Sequence, residues 1–285
     1  MVSKGVKYPI YIISKGRWEK PYTARCFLKE NIPFTIAVEP QEYDKYCQTI
    51  PSKYVKALPF QNLGLGSYPA RNWCWDQSLE QGHDKHFLFD DNIAGFVKFQ
   101  KGKKTPCDAL TPLLKLQTFT DRFTNVAVSG FNYRYFAARD LKKPVFFNTH
   151  VYSGMLINNR TPFKWRLKYN EDVDLCLQAL HNKWCTINLN AYLINKISTV
   201  AKLKGGNQDE LYKGNAKEKK ILKAKSLEQI WPQYVKTTIK FGRPHHHVSW
   251  KKHFTHSLKK KIEHSLSLKG APRVTNLQKS DNIKQ

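Results

Sequence analysis

Short apolar segments alternate with helical patterns along the first ninety residues, and this alternation limits the possible folds more than any other feature of the chain. Strands that are separated by helices are typical of βαβ units, whose strands pair in parallel. We therefore predict an α/β protein with a Rossmann-type, mostly parallel sheet flanked by helices. The predicted strands occupy residues 8–14, 34–40, 55–60 and 86–91, and the predicted helices occupy 19–30 and 67–82.

The rest of the chain divides into a further structured part and a basic C-terminal part. Residues 213–285 hold 18 of the 48 Lys and Arg residues but 4 of the 22 acidic residues. We predict a main domain over residues 1–212 and a basic C-terminal extension over 213–285, which contains a histidine loop and ends in a disordered tail. Helices are predicted at 109–123 and 171–184, and strands at 126–131, 145–148 and 151–158.

The charge of the chain predicts a polyanionic partner. The formal net charge is +26 and the pI is about 9.8, which is more than solubility requires. Nucleic acid rewards dispersed Lys and Arg through counterion release, and an anionic membrane or a lipopolysaccharide rewards them as well. Because no secretory signal and no apolar segment of membrane-spanning length is evident, we expect a cytoplasmic protein with no membrane partner.

Polar residues close three of the predicted strands. Ser14, Glu39 and Asp90 each stand at a strand end, where α/β sheets collect their functional residues. Asp90, Asp91 and Asn92 together offer the oxygen ligands that Mg²⁺ and Mn²⁺ prefer. The same three residue types also form ordinary turns after strands, because their side chains bond to local backbone.

Basic and glycine-rich segments near these strand ends suit a nucleotide. Arg17 in SKGRW is placed to reach a phosphate or a base, although a solvated basic turn explains it equally well. Gly64 and Gly66 lead into a helix N-terminus, which is a natural anion site. Arg71 and Asn72, one turn later, either add donors to a nucleotide or form an exposed helix face.

Two further clusters carry chemical groups. Glu171 and Asp172 begin a helix, where they either stabilise its dipole or act as a general base. An imidazole from His245 or His247, in the three-histidine run, is suited to complete a metal shell; the alternative is a solvated loop. Trp250, Lys251 and Lys252 interleave aromatic and basic character, which suits DNA binding or an amphipathic packing surface.

The order of these motifs points to one family. SKGRW follows the first strand, FDDN ends the fourth, and YNEDVDL and HHH come later. Together they resemble the bacteriophage TET-associated glycosyltransferase family over roughly residues 8–255. The resemblance implies a GT-A-like fold and transfer of a sugar from a UDP-sugar to hydroxymethylated pyrimidine in double-stranded phage DNA, either 5-hydroxymethylcytosine or 5-hydroxymethyluracil.

The resemblance also implies roles for the candidate residues. The base of the UDP-sugar would lie near residues 14–17 and Glu39, and Asp172 or Glu171 would deprotonate the acceptor hydroxyl. A Mn²⁺ or Mg²⁺ ion would neutralise the departing diphosphate. Its expected ligands are Asp91, Asp90 and one of His245 and His247, and Asp90 is the alternative contact for the sugar.

Other functions fit the same residues. A GT-A enzyme that acts on a lipopolysaccharide or capsule acceptor also benefits from basic charge. A nucleotidyltransferase or phosphotransferase also uses paired aspartates with a metal. A non-catalytic nucleic-acid-binding protein would keep the acids for structural reasons alone.

Overall fold

The computed structural model describes residues 5–197, 205–206, 216–240 and 242–262. A mixed sheet forms its centre, and a two-stranded hairpin follows near the C-terminal end of the described chain. The strands of the sheet are β1 Ile10–Ile13, β2 Thr35–Val38, β3 Val55–Ala57, β4 Lys85–Asp90, β5 Ile93–Gln100, β6 Lys103–Cys107, β7 Val126–Tyr133, β8 Val145–Phe147, β9 Gly154–Asn158 and β10 Cys185–Lys196. The strands of the hairpin are β11 Val235–Lys240 and β12 Arg243–Val248.

The strand order is β3-β2-β1-β4-β9-β7-β10-β5-β6, with β8 paired to β10. The first four strands of this order, β3, β2, β1 and β4, are parallel to one another. Strand β9 pairs antiparallel with β4, strands β5 and β8 pair antiparallel with β10, and β6 pairs antiparallel with β5. The helices are α1 Tyr22–Lys29, α2 Tyr43–Cys47, α3 Tyr68–Glu80, α4 Leu110–Thr120, α5 Glu171–His181, α6 Ala216–Ile230 and α7 Trp250–His253. The predicted α/β class, with a helix-flanked sheet, is confirmed.

Alternation along the strands creates two cores. Ile10 and Ile12 pack with α1, α2 and α4 on one face of the sheet, and Tyr11 packs with α3 and α5 on the other. Trp75 of α3 and Phe27 of α1 are fully buried in these two layers. Each such side chain stabilises the fold by about 1.5–3 kcal/mol through burial. The parallel strands are thereby fixed from both sides, and their carboxyl ends form a single edge.

Three strands of the mixed sheet, β5, β6 and β10, lie where the sequence analysis predicted none. β5 and β6 form a hairpin whose turn, Lys101 and Gly102, has positive φ at both positions, as tight two-residue turns require. β10 pairs with β7, β5 and β8, so it is central to the sheet. Its asparagines Asn188 and Asn190 weaken the strand pattern, because asparagine is depleted in strands.

The described part of the C-terminal extension packs on the main domain. Leu227, Trp231 and Val248 share an apolar cluster with Val173 and Leu177 of α5. The prediction of a loop for the three histidines is wrong, because His245, His246 and His247 lie on strand β12. The predicted boundary at 212/213 and the predicted disordered tail lie outside the described residues.

None of the helices in the described ranges is both long enough and apolar enough to span a bilayer.

Candidate active site

A cleft opens at the carboxyl edge of the parallel strands, where Ser14, Glu39 and Asp90 follow β1, β2 and the body of β4. We call it the donor cleft. Among the described residues, six cationic side chains and four acidic ones line it, so the charge of this lining is positive in sum. They are Lys15, Arg17, Arg71, Lys168, Lys196 and Lys223, with Glu39, Asp90, Asp91 and Glu171.

Asp91 is held by the loop that follows β1. The hydroxyl of Ser14 donates to Asp91 Oδ2 at 2.6 Å, and Arg17 Nη1 donates to Asp91 Oδ1 at 2.5 Å. Arg17 Nη2 also reaches the carbonyl of Gly205 at 3.1 Å. If Gly205 were replaced by a residue with a side chain, its Cβ would lie 2.2 Å from the carbonyl oxygen of Gly16. The two backbone segments are therefore in direct contact at this point. The SKGRW segment therefore forms one wall of the donor cleft.

Asp90 is held by two cations from distant parts of the chain. Arg71 Nη2 donates to Asp90 Oδ1 at 2.8 Å, and Lys196 Nζ donates to Asp90 Oδ2 at 2.8 Å. Lys196 also donates to the hydroxyl of Tyr133 at 3.0 Å and contacts that of Ser153. Burial acts to raise the pKa of Asp90, but Lys196 and Arg71 hold that pKa well below its usual range. Asp90 is therefore ionised at any physiological pH.

Glu39 and the glycine loop also line the cleft. Glu39 accepts from Lys15 Nζ at 2.9 Å and from the backbone N–H of Asn62 at 3.2 Å. Gly64 and Gly66 both have positive φ and both line the cleft. A Cβ on Gly66 would lie 2.8 Å from the carbonyl oxygen of Lys168, so only glycine fits this approach. The predicted glycine lead into α3 is thus part of the cleft.

The two acids that begin α5 have different partners. Glu171 accepts from the hydroxyl of Ser67 at 2.7 Å and from Arg71 at 3.3 Å, and it lines the donor cleft. Asp172 pairs with His150 Nε2 at 3.0 Å. Burial raises the pKa of Glu171, whereas His150 holds the pKa of Asp172 below its usual range against the opposing effect of burial. Pairs whose pKa values are pushed apart are typical of acid–base sites.

Asp90 and Asp91 lie together in the cleft, but neither His245 nor His247 is among the residues that line it. All four carboxylate oxygens of Asp90 and Asp91 accept from a cation or a hydroxyl. No group of three His, Cys, Asp or Glu side chains suited to a metal occurs within the described ranges. His245 and His247 are exposed, and each bonds within its own hairpin. A divalent ion therefore does not fit this arrangement, in which the ammonium of Lys196 supplies the positive charge beside Asp90.

Strand alternation explains the outcome for the histidines. His246 points to the same face of β12 as the buried Val248, whereas His245 and His247 point away. Burial lowers the pKa of His246 to about 4, against the attraction of Asp172. The middle histidine is therefore the one within the electrostatic influence of Asp172, and the two predicted ones lie on the other face of the strand.

Two other predictions have different outcomes. Asn72 does not line the cleft, because its amide bonds the backbone of Trp165 through both its nitrogen, at 2.8 Å, and its oxygen, at 3.1 Å. It therefore anchors α3 to the loop before α5. Lys251 and Lys252 are exposed on α7, and the ring of Trp250 stacks on that of His150 at 6.2 Å. Their role in DNA binding stays a prediction.

Comparison with known proteins identifies the family. A profile described as TET-Associated Glycosyltransferase matches residues 8–206, which include every cleft residue named above except Lys223. The chain belongs to this family. The protein is therefore a glycosyltransferase, as the motifs predicted.

The other comparisons add a structural likeness. One solved structure, described as a nucleotide-diphospho-sugar transferase from Desulfovibrio desulfuricans G20, is 13% identical and aligns over 70% of this chain and 84% of that chain, with a TM-score of 0.38. At that score the likeness does not bear on function. A search of curated proteins finds no match.

Three residues of this glycosyltransferase site escaped the sequence analysis. Lys196 ends β10, which the weak strand pattern concealed, although an apolar stretch that ends in lysine was a usable signal. His150 stands in the loop before β9 and reaches Asp172 only through folding. Tyr133 ends β7, beyond the predicted strand limit of 131, and contacts Lys196.

Proposed function

We propose that this glycosyltransferase moves a sugar from a UDP-sugar to the hydroxymethyl group of 5-hydroxymethylcytosine or 5-hydroxymethyluracil in phage DNA. The observation that carries the proposal is the donor cleft itself. Its cations outnumber its acids at the carboxyl edge of a parallel sheet, where α/β proteins bind nucleotides, and a carboxylate–histidine pair stands beside it.

The chain's own cations suit the diphosphate of the donor. Arg71 and Lys196 flank Asp90 and line the cleft, and a diphosphate that lies there receives charge-assisted hydrogen bonds from both. Glu39 and the loop of residues 14–17 are left for the uridine, because carboxylates and backbone groups bond the edge of a base. Asp90 keeps both cations oriented before the donor arrives.

Transfer requires one proton to move. The oxygen of the acceptor hydroxymethyl group attacks the anomeric carbon, the bond from that carbon to the diphosphate breaks, and the nucleoside diphosphate leaves with the electron pair. The hydroxyl proton passes to the pair formed by Asp172 and His150, whose side chains are 3.0 Å apart. Glu171, which bonds Ser67 and Arg71, acts in this proposal as a positioning residue for the donor side.

The arrangement of the side chains argues against the Mn²⁺ or Mg²⁺ ion that the sequence hypothesis included. The oxygens it would need already have partners, and Lys196 and Arg71 supply the charge that would balance the leaving diphosphate. The proposed steps therefore use cations of the protein, and the assay below tests the need for a metal separately.

The test uses the purified protein with DNA that contains 5-hydroxymethylcytosine or 5-hydroxymethyluracil and with a panel of UDP-sugars. Each reaction is run with Mn²⁺ and with EDTA, and the nucleosides are analysed by mass spectrometry. We expect the hydroxymethylated nucleoside to gain the mass of one hexose or pentose residue, and unmodified DNA to gain none. Consumption of nucleoside triphosphates, or transfer to lipopolysaccharide alone, would overturn the proposal.

A further inference from the structure

A second concave region lies on the other half of the sheet, at the β5–β6 hairpin and the segment that follows β7. We call it the basic hollow, and its volume is about 1070 Å³. Among the described residues, its lining includes five cations and no acid. The cations are Lys101, Lys103, Lys104, Arg134 and Arg139, and Tyr135 also lines the hollow.

The hollow has a fixed framework. A Cβ on Gly102 would lie 2.8 Å from the carbonyl oxygen of Arg139, so the hairpin turn touches the segment after β7 directly. Lys104 Nζ donates to the carbonyl of Arg134 at 2.7 Å and joins the same two segments. Burial, together with the charges of Arg134 and Arg139, lowers the pKa of Lys104. Like charges are therefore crowded here, and no carboxylate stands among the described residues of the lining, an arrangement that suits an anion.

Exposed aromatic rings adjoin the hollow. Tyr135 and Phe136 are 60% and 53% exposed, and their ring centroids are 4.6 Å apart. They stack further on Tyr133 and Tyr152, and we call these four residues the aromatic strip. Large neighbouring aromatic side chains that stay in solvent usually mark a binding surface. Rings beside a basic groove are the combination with which proteins hold unstacked bases.

The aromatic strip connects the hollow to the chemistry of the site. Tyr152 contacts the ring of His150 at 4.3 Å, and His150 pairs with Asp172. Tyr133 accepts from Lys196, which in turn binds Asp90 in the donor cleft. A base on the outer end of the strip is therefore joined by unbroken contacts to both the proposed proton acceptor and the donor cations.

We propose that the basic hollow and the aromatic strip form the acceptor site for DNA. The cations bind backbone phosphates beside the target nucleotide, and the target base leaves the duplex to stack on Tyr135 and Phe136 with its hydroxymethyl group toward His150 and Asp172. This inference rests on the proposed function and locates its acceptor. A neutral glycan could also stack on the rings, but it would leave the five cations of the hollow without a counter-charge, whereas a phosphate backbone supplies one at every nucleotide.

The charge of the hollow is tested with the full-length triple variant Lys101→Ala/Lys103→Ala/Arg134→Ala, whose three side chains are exposed. Each lost phosphate contact lowers the slope of log Kd against log salt by about 0.9 for duplex DNA. We expect the slope to fall by between about two and three, and the KM for hydroxymethylated DNA to rise at least about tenfold. UDP-sugar binding, measured by calorimetry without DNA, should not change.

The matched control removes three exposed lysines elsewhere, in the variant Lys29→Ala/Lys56→Ala/Lys115→Ala. It has the same net charge change and should leave the slope and the KM for DNA near the wild-type values. Equal effects of the two triple variants would overturn the site, because the total charge rather than the hollow would then explain DNA binding.

The aromatic strip is tested with Tyr135→Ala/Phe136→Ala and with Tyr135→Phe. Loss of base stacking should raise the KM for DNA at least about fivefold, and the Tyr135→Phe variant should keep the wild-type KM because its ring remains. 2-Aminopurine next to the target base should brighten with wild-type protein and stay dark with the double variant. A double variant with wild-type KM and fluorescence would overturn the stacking role.

The two proposals fail in different ways. If wild-type protein transfers no sugar to hydroxymethylated DNA, the proposed function fails. If the wild-type protein transfers sugar to DNA and the variants of the hollow and strip do so equally well, only the acceptor site fails.

Discussion

The donor cleft and the basic hollow are both rich in cations, but they treat those charges in opposite ways. In the donor cleft Asp90, Asp91 and Glu171 hold Arg17, Arg71 and Lys196 at 2.5–3.3 Å. In the basic hollow, the lining that the structure describes contains five cations and no acid. Acids therefore fix these three cations of the donor cleft in place, whereas the cations that line the hollow have no acid beside them in its lining.

The difference follows from burial. Arg71 and Asp91 are 5% and 4% exposed, so unpaired charges there would be costly, and pairing also fixes the donors in advance. The cations of the hollow are mostly exposed, and water stabilises them without partners. A small ligand of fixed shape suits the first arrangement, and a long polyanion that binds through many weak, salt-sensitive contacts suits the second.

The largest expected effect comes from the pair that stands between the two regions. Asp172→Asn removes the charge that orients His150, and we expect kcat to fall by about 10³-fold while the KM for the donor stays within about threefold. Glu171→Gln is the matched neighbour and should instead raise the donor KM, because Glu171 contacts Arg71. Initial-rate kinetics with both substrates varied would decide. A wild-type kcat in Asp172→Asn would assign the proton to another group.

Salt should separate the two regions directly. Between 50 and 200 mM salt we expect the Kd for duplex DNA to rise by about 10²-fold or more, if four or more phosphates are contacted. The Kd for a UDP-sugar should rise by less than about tenfold, because its cations are already held in a partly buried cleft. Fluorescence anisotropy for DNA and calorimetry for the donor give the two curves. If the Kd for DNA and the Kd for the donor depended equally on salt, the proposed distinction between the two regions would be wrong.

Lys196 is the cation on which the donor cleft depends most. Lys196→Met removes the ammonium but keeps the length of the side chain, and we expect the donor Kd to rise between about tenfold and 100-fold. The control is Lys98→Met, which changes an exposed residue of β5 and should bind the donor normally. Circular dichroism of both variants would show that the fold is retained. Normal donor binding by Lys196→Met would move the diphosphate elsewhere.

Acid should remove the stabilisation that Asp90 provides. Because the pKa of Asp90 is held below that of the unfolded chain, this contribution is fully present above the usual Asp value of about 3.9 and is lost as the pH falls below it. The difference in Tm between the wild type and Asp90→Asn should be a few degrees and constant from pH 8 to about 5, and then narrow. Asp44→Asn, which changes an exposed acid, should give no difference.

The smallest expected effect concerns metal. With the aspartate oxygens already bonded, EDTA should change the rate of sugar transfer by less than about twofold. A loss of activity that Mn²⁺ restores would show that Arg17 or Lys196 gives way to an ion during catalysis. The pairing of cations with acids in the donor cleft would then describe only the protein without metal.

Much of the donor cleft was predictable because its parts follow from local patterns. Ser14, Glu39 and Asp90 close strands that periodicity reveals, and parallel pairing brings their ends to one edge. Arg71 was found because it lies one turn into a helix that follows a glycine loop. The assignment of Asn72 to the same site failed because neighbouring helix positions point about 100° apart, and Asn72 faces Trp165 instead.

The histidines and the hollow were beyond such patterns. A run of three histidines looks like a loop in a linear reading, but pairing with β11 makes it a strand, and alternation then selects His246 over its neighbours. The hollow requires the turn of a hairpin to touch the carbonyl of Arg139, some 37 residues later in the chain than Gly102. No local signal encodes that contact.

The linear order of residues fixed the α/β class, the strand ends that carry acids, the excess of positive charge and the family, because each depends on spacing or composition within short segments. Which cation binds which acid, the partnership of His150 with Asp172 and the separation of paired from unpaired charge arise from folding. These contacts join residues up to 106 positions apart, as Lys196 and Asp90 do, and packing of the two helical layers on one sheet is what brings them within hydrogen-bonding distance.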